Sequence, residues 1–193
     1  MPIDLARAFL TGGARFLQLR AKHLTGADFL EISKAIVELA RPFGALVIVN
    51  DRADIARLSG ADGVHVGQED LSPRAVRQLV GAGAVVGLST HTVEQLERGL
   101  DQPVSYLAAG PVFGTMSKQT GYDAIGLERV ADAARRATAR SLPLVAIGGI
   151  TLDRAASVLA AGATSVAVIG DLLATADPEG QTRNFLRVLN DVT

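Results

Sequence analysis

The chain contains no cysteine. Disulfides, thiolate metal sites and a cysteine nucleophile are therefore excluded. It has no tryptophan, and all aromatic residues together make up only 4% of it. So few rings do not support a base-stacking surface for nucleic acid. An excess of one charge is missing too: 19 Lys and Arg stand against 20 Asp and Glu, a formal net charge of −1. Nothing draws the molecule as a whole to nucleic acid or to an anionic membrane. No apolar run approaches the roughly 20 residues that cross a bilayer. The opening Met1-Pro2-Ile3-Asp4-Leu5 lacks the basic and long apolar regions of a signal peptide. Partners are therefore expected to be small molecules, with no nucleic acid and no membrane, and the expected location is cytoplasmic.

What is present is 193 residues rich in Ala, Val, Leu and Gly. That length suits a single domain over 1–193 with a sizeable core. Short Val- and Ile-rich runs alternate with segments of helical period. The runs fall at 14–20, 45–49, 63–67, 85–88, 106–109, 144–147 and 165–169. Helical patterns cover 4–10, 25–40, 53–58, 72–80, 127–140, 151–161 and 182–189, and one more opens at Thr92. Ser72-Pro73 reads as an N-cap followed by Pro at the first helical position. Thr92-Val93-Glu94-Gln95 has capping-box spacing. Strand–helix alternation of this kind predicts an α/β protein with a parallel sheet. Seven strands are expected, one short of a (β/α)₈ barrel. A doubly wound sheet has the same local pattern, so periodicity leaves the two open.

In either architecture, polar groups at strand C-termini stand where α/β sites form. Val47-Ile48-Val49-Asn50-Asp51 ends in a carboxylate, and so does the stretch from Gly63 to Asp70. Asp51 and Asp70 each read singly as a turn or cap acid. On consecutive strands they suggest a hard, oxygen-ligated cation such as Mg²⁺. Gln18, Arg20 and Lys22 are spaced i, i+2, i+4, which in an extended chain puts two cations on one side. That suits an anion with several oxygens, against the plain alternative of a solvated edge. His65, inside an apolar strand, reads as a core histidine with its hydrogen bond satisfied. His91, following Ser89 and Thr90 at a strand end, is better placed for acid–base chemistry. Ser89 could bond a phosphate oxygen or cap the next helix. The segment from Gly110 to Lys118 is longer than the usual about 2–6 residues between strand and helix, which favours a functional loop. Gly148-Gly149 and Ile169-Gly170 end the last two strands, where backbone N–H groups can approach a phosphate.

Taken in order, Gln18-Leu19-Arg20-Ala21-Lys22, Val49-Asn50-Asp51, Gly63 to Asp70, Gly87 to Thr92, Gly110 to Lys118 and Ala146 to Thr151 resemble the thiamine phosphate synthase and thiazole tautomerase family. The resemblance covers nearly the whole chain and implies a (β/α)₈ TIM-type barrel. It implies a transferase that couples hydroxymethylpyrimidine diphosphate to thiazole phosphate with release of diphosphate. Asp51 and Asp70 would hold Mg²⁺. Arg20, Lys22, Asn50, Ser89 and Lys118 would bind the diphosphate, with Arg20, Ser89 and Lys118 assisting its departure. Thr115 and Ser117 would contact substrate, Gln18 would meet the pyrimidine, and Gly149, Ile169 and Gly170 would hold the thiazole phosphate. A homodimer is compatible with this reading.

Two alternatives accompany it. A thiazole tautomerase would use the phosphate site with His91 as acid–base, and a non-catalytic barrel would only bind a phosphorylated ligand. The full set of diphosphate and metal residues favours the synthase. Two departures from the family pattern stand out. The first strand, which the family carries ahead of the first helix, appears missing here. Gly170 also stands where the family commonly has Ser, which removes one hydroxyl from the phosphate site.

Overall fold

The structure is a computed structural model, and it describes residues 2–114 and 121–190. Helix α1 (Pro2–Thr11) leads into β1 (Phe16–Leu19), α2 (Gly26–Ala40), β2 (Leu46–Asn50), α3 (Ala53–Ser59) and β3 (Gly63–Val66). Next come α4 (Pro73–Val80), β4 (Val85–Thr90), α5 (Val93–Leu100), β5 (Tyr106–Ala109) and α6 (Gly126–Thr138). The chain continues through β6 (Leu144–Ile147), α7 (Leu152–Ala160), β7 (Ser165–Ala167), α8 (Gly170–Leu173) and α9 (Pro178–Asn190). All seven strands are parallel and lie in chain order, β1 to β7. The expected strands are all present: β1, β3 and β7 end earlier than expected, while β2 and β4 run on to Asn50 and Thr90. Helix α8 was not foreseen, and α9 begins at Pro178, not Thr182.

The caps explain where the helices start. The Thr25 hydroxyl accepts from the Asp28 N–H at 3.2 Å and donates to the Asp28 carboxylate at 2.7 Å. Ser72 caps α4 through Ala75 N–H, with Pro73 at the first position. Thr92 caps α5 through Gln95 N–H. The Gln95 side chain, however, reaches back to the His91 N–H at 2.8 Å, one residue ahead of the cap.

Side-chain alternation divides each strand between two layers. Val49, Val64, Val66, Val86, Leu88 and Leu107 are buried and pack with helix residues such as Ala53, Ala56, Val76 and Leu96, while Val47 packs with Ile36 and Val37 of α2. The alternate residues, among them Phe16, Gln18, Asn50, His65, Ser89 and Tyr106, turn to the other face of the sheet. That face curls on itself. In a flat sheet β1 and β5 would lie about 19 Å apart, four spacings of roughly 4.8 Å. Yet the Phe16 and Tyr106 rings meet edge to face, with centroids 5.7 Å apart. On the outside, α9 packs on both α7 and α1, bringing the two ends of the helix layer together. The architecture is thus an α/β, TIM-like curl of seven parallel strands. Phe16 on β1, 46% exposed, and Ile169 after β7, 58% exposed, mark where its concave face meets solvent. No helix among the described residues is long and apolar enough to cross a membrane.

Candidate active site

Parallel strands put all their C-terminal ends at one end of the sheet, and the expected residues gather there. Strand β1 stops at Leu19, so Arg20 and Lys22 sit on the following loop and are not part of the extended strand. Lys22 nevertheless turns into the site: its Nζ lies 3.0 Å from Asp51 Oδ2. Arg20 is exposed, and Asn50 is nearly buried at the end of β2. Asp51 adopts a left-handed backbone, φ 64°, uncommon for a residue with a side chain. Its N–H donates to the His65 carbonyl on β3 at 2.8 Å, which holds that turn.

Asp70 comes in from the loop after β3. Its Oδ2 accepts the Gly67 N–H at 2.7 Å. The Asp51 carboxylate is close enough to act on its proton affinity. Burial, and then this neighbouring carboxylate, push the Asp70 pKa above the ordinary carboxylate range, opposed by the Gly67 N–H and by Lys22. Two carboxylates held side by side need a cation or a proton between them. The donor set fits Mg²⁺, which takes one or two carboxylates and completes its shell with water and phosphate oxygens. Among the described residues no group of three or more His, Cys, Asp or Glu could hold a metal alone, so further ligands would come from substrate or solvent.

On β4, Ser89 is buried and its hydroxyl lies 2.7 Å from His65 Nε2. His65 Nδ1 lies 2.8 Å from the Tyr106 hydroxyl on β5. His65 is thus the satisfied interior histidine expected from sequence, but one of its partners is a candidate site residue. Gln68 fixes the Ser89 carbonyl from the other side, donating through Nε2 at 2.7 Å. His91 sits at the next turn. Its Nδ1 meets the Gly110 carbonyl, an acceptor only, so the proton is on Nδ1. Its ring stacks on Tyr122 with centroids 4.2 Å apart, and Gln95 Nε2 donates to the Tyr122 hydroxyl at 3.0 Å. This arrangement builds His91 into a clamp between β4, β5 and the segment before α6.

The loops after β6 and β7 enclose a cavity of about 230 Å³. Gly149, Ile169 and Gly170 line it, as expected, together with Arg154 and Asp171. Gly149 has φ +65°, and a Cβ there would stand 2.6 Å from the Gly114 carbonyl. Glycine is what lets the backbone close on the cavity. Arg154 donates to the Gly149 carbonyl at 3.2 Å and lies over the Phe113 ring at 4.8 Å. Asp171 Oδ2 accepts the Leu152 N–H at 3.2 Å and Gln181 Nε2 at 2.9 Å. It thereby caps the first turn of α7.

Tyr106, Arg154 and Asp171 were not singled out by sequence reasoning. Only Gly87, mid-strand, hinted at a close crossing on β4. Thr115, Ser117 and Lys118 lie outside the described residues.

Strand ends that gather a carboxylate pair, a lysine and a glycine-walled cavity define a TIM-like α/β protein with a site suited to phosphorylated small molecules. Within that class the assignment is specific. The chain belongs to the thiamine monophosphate synthase family, whose model matches residues 2–172. It is 44% identical over 186 residues to a thiamine-phosphate synthase of Roseiflexus sp. (strain RS-1), covering 96% of this chain and 78% of that protein. It is 39% identical to the thiamine-phosphate synthase of Chlorobium luteolum, covering 98% and 88% respectively. A solved thiamine phosphate pyrophosphorylase from Pyrococcus furiosus superposes with a TM-score of 0.90 at 31% identity, covering 98% of this chain and 90% of that one.

Proposed function

We infer that the protein is a thiamine phosphate synthase, a transferase that joins hydroxymethylpyrimidine diphosphate to thiazole phosphate and releases diphosphate. The observation that carries the reading is the Asp51–Asp70 pair with Lys22 beside it, in a chain of this family. Asp51 and Asp70 would hold Mg²⁺, which would offset charge growing on the departing diphosphate. Arg20, Lys22, Asn50, Ser89 and Lys118 bind that diphosphate. Donors held in place before the carbon–oxygen bond breaks would stabilise charge as it develops. Gln18 meets the pyrimidine, whose methylene becomes cationic as the bond breaks. The thiazole nitrogen then attacks that carbon, and no covalent bond to the protein is needed. Thr115 and Ser117 contact substrate and, with Lys118, help keep water from the cation. Gly149, Ile169 and Gly170 wall the thiazole phosphate site. There Arg154 supplies a positive charge that offsets the hydroxyl lacking at Gly170.

This reading includes a full (β/α)₈ barrel, with an eighth strand filling the ring between β7 and β1. The exposed Phe16 and Ile169 on either side of that position support it. A homodimer and a cytoplasmic location go with the same reading. The tautomerase and pure-binding alternatives are not favoured: neither needs the Asp51–Asp70 pair.

The test is a coupling assay with hydroxymethylpyrimidine diphosphate, thiazole phosphate and Mg²⁺, with an EDTA control. Metal-dependent thiamine phosphate is expected. A folded sample that makes none would overturn the reading.

A further inference from the structure

We propose that His65 and Tyr106 are positioning residues that hold the Ser89 hydroxyl as a hydrogen-bond donor toward the diphosphate. The inference rests on the synthase reading and adds a directed chain of hydrogen bonds to it. Three strands build that chain. His65 on β3 and Tyr106 on β5 are both paired in register with Gly87 on β4. A Cβ at Gly87 would lie 2.2 Å from Tyr106 Cζ and 2.4 Å from His65 Nδ1. Only glycine lets the two side chains meet across the intervening strand.

The direction follows from donor and acceptor chemistry. The Tyr106 hydroxyl meets two side chains, Gln18 and His65. In the proposed chain Gln18 donates its amide N–H to the phenol oxygen, which leaves the phenolic proton for His65. The phenolic proton then goes to His65 Nδ1, 2.8 Å away. A neutral imidazole accepting at Nδ1 carries its proton on Nε2. Nε2–H therefore donates to Ser89 Oγ at 2.7 Å. With one lone pair so engaged, and the Ser89 carbonyl pinned by Gln68, the Ser89 proton is directed away from His65. The His65 carbonyl also accepts the Asp51 N–H. One residue thus ties the metal-side turn to the serine.

The experiment is a double-mutant cycle on kcat, with thermal unfolding run on every variant. His65→Asn cannot reach Ser89 and is expected to lower kcat about tenfold, the scale of one lost hydrogen bond, with KM for thiazole phosphate unchanged. Ser89→Ala is expected to lose at least as much. The double variant should be no slower than Ser89→Ala alone, because His65 acts through that hydroxyl. His65→Gln, whose amide nitrogen overlays Nε2, should recover most of the loss. Tyr106→Phe, which preserves shape, should reproduce part of the His65→Asn defect. Losses that multiply in the double variant, or an unaffected His65→Asn, would overturn the positioning role while leaving the synthase reading intact. An inactive wild type would instead overturn the synthase reading, and the proposal with it.

Discussion

Gly87→Ala is the smallest perturbation that tests the interior of the curl. The added methyl would sit 2.2 Å from Tyr106 Cζ and 2.4 Å from both the Tyr106 hydroxyl and His65 Nδ1. None of these is the loose end of a flexible chain. Tyr106 is buried and paired, and His65 is held at both ring nitrogens. Overpacking of this kind costs about 1–3 kcal/mol. Separating Tyr106 from His65 forfeits about 1 kcal/mol more. The combined loss of about 2–4 kcal/mol corresponds to a fall in Tm of about 4–16 °C for a chain this long. The control is Gly83→Ala, where a Cβ would meet nothing within 4 Å, and its Tm should stay within about 2 °C of wild type. Circular dichroism melts of the three proteins decide the matter. A Gly87→Ala protein melting with the control would mean that Tyr106 and His65 do not pack over that glycine.

Three further outcomes are expected. Asp51→Asn keeps a side chain that tolerates the left-handed backbone; it should abolish Mg²⁺-dependent turnover while leaving the melt near wild type, and retained metal-dependent synthesis would count against the assigned ligand. Arg154→Gln should raise KM for thiazole phosphate about tenfold, the scale of a charge-assisted hydrogen bond, and leave KM for the unphosphorylated thiazole alcohol unchanged; equal effects on both would remove Arg154 from the phosphate site. The Asp70 pKa is raised on folding, so between the ordinary carboxylate value and that raised value the folded state binds more protons than the unfolded one. Its contribution to stability therefore falls as pH rises through that window; Asp51→Asn, which removes the second of the two causes, should flatten the slope in a pH series of melts, and an unchanged slope would show that burial alone sets the shift.

What was legible in the sequence, and what was not, divides by whether a feature is local. Strands β2 and β4 were readable because Val- and Ile-rich runs are buried on the helix side and punctuated by glycine. Ser72-Pro73 and Thr92 marked helix starts because a cap needs only the next three residues. Asp51 and Asp70 could be paired because both end strands in consecutive units. Contacts that cross strands were hidden. The meeting of His65 with Tyr106 depends on a register that brings both beside Gly87, and no periodicity encodes register. Lys22 was read as part of an extended strand; it stands on the loop after β1, and its ion pair with Asp51 crosses from one unit to the next. Arg154 stands in an ordinary helical pattern, and only the loop after β7 makes it part of a cavity. Ile169 and Gly170 were marked because a glycine follows the last strand there, and Asp171 beside them was passed over because a cap for α7 had no reason to come from the next unit.

The two halves of the candidate site sit at opposite margins of the sheet, and this bears on how precisely it can work. Gln18 and Arg20 belong to β1 and its loop, and Ile169 and Gly170 follow β7. These are the first and last strands in the order. The interior strands hold their groups through neighbours on both sides: Asn50 and Asp51 lean on β3, and Ser89 on β3 and the loop after it. The marginal strands have a neighbour on one side only among the described residues. The cationic methylene must meet the thiazole nitrogen within a fraction of an ångström. The distance from Gln18 to Gly170 is therefore the least constrained dimension of the site. Contact of α9 with both α1 and α7 fixes the outer layer there, but it reaches the strands only through helix packing. An eighth strand hydrogen-bonded to both β7 and β1, as the proposed barrel has, would set that distance directly. Destabilising the α1–α9 contact should then raise KM for both substrates together, whereas a change confined to one margin should raise only its own.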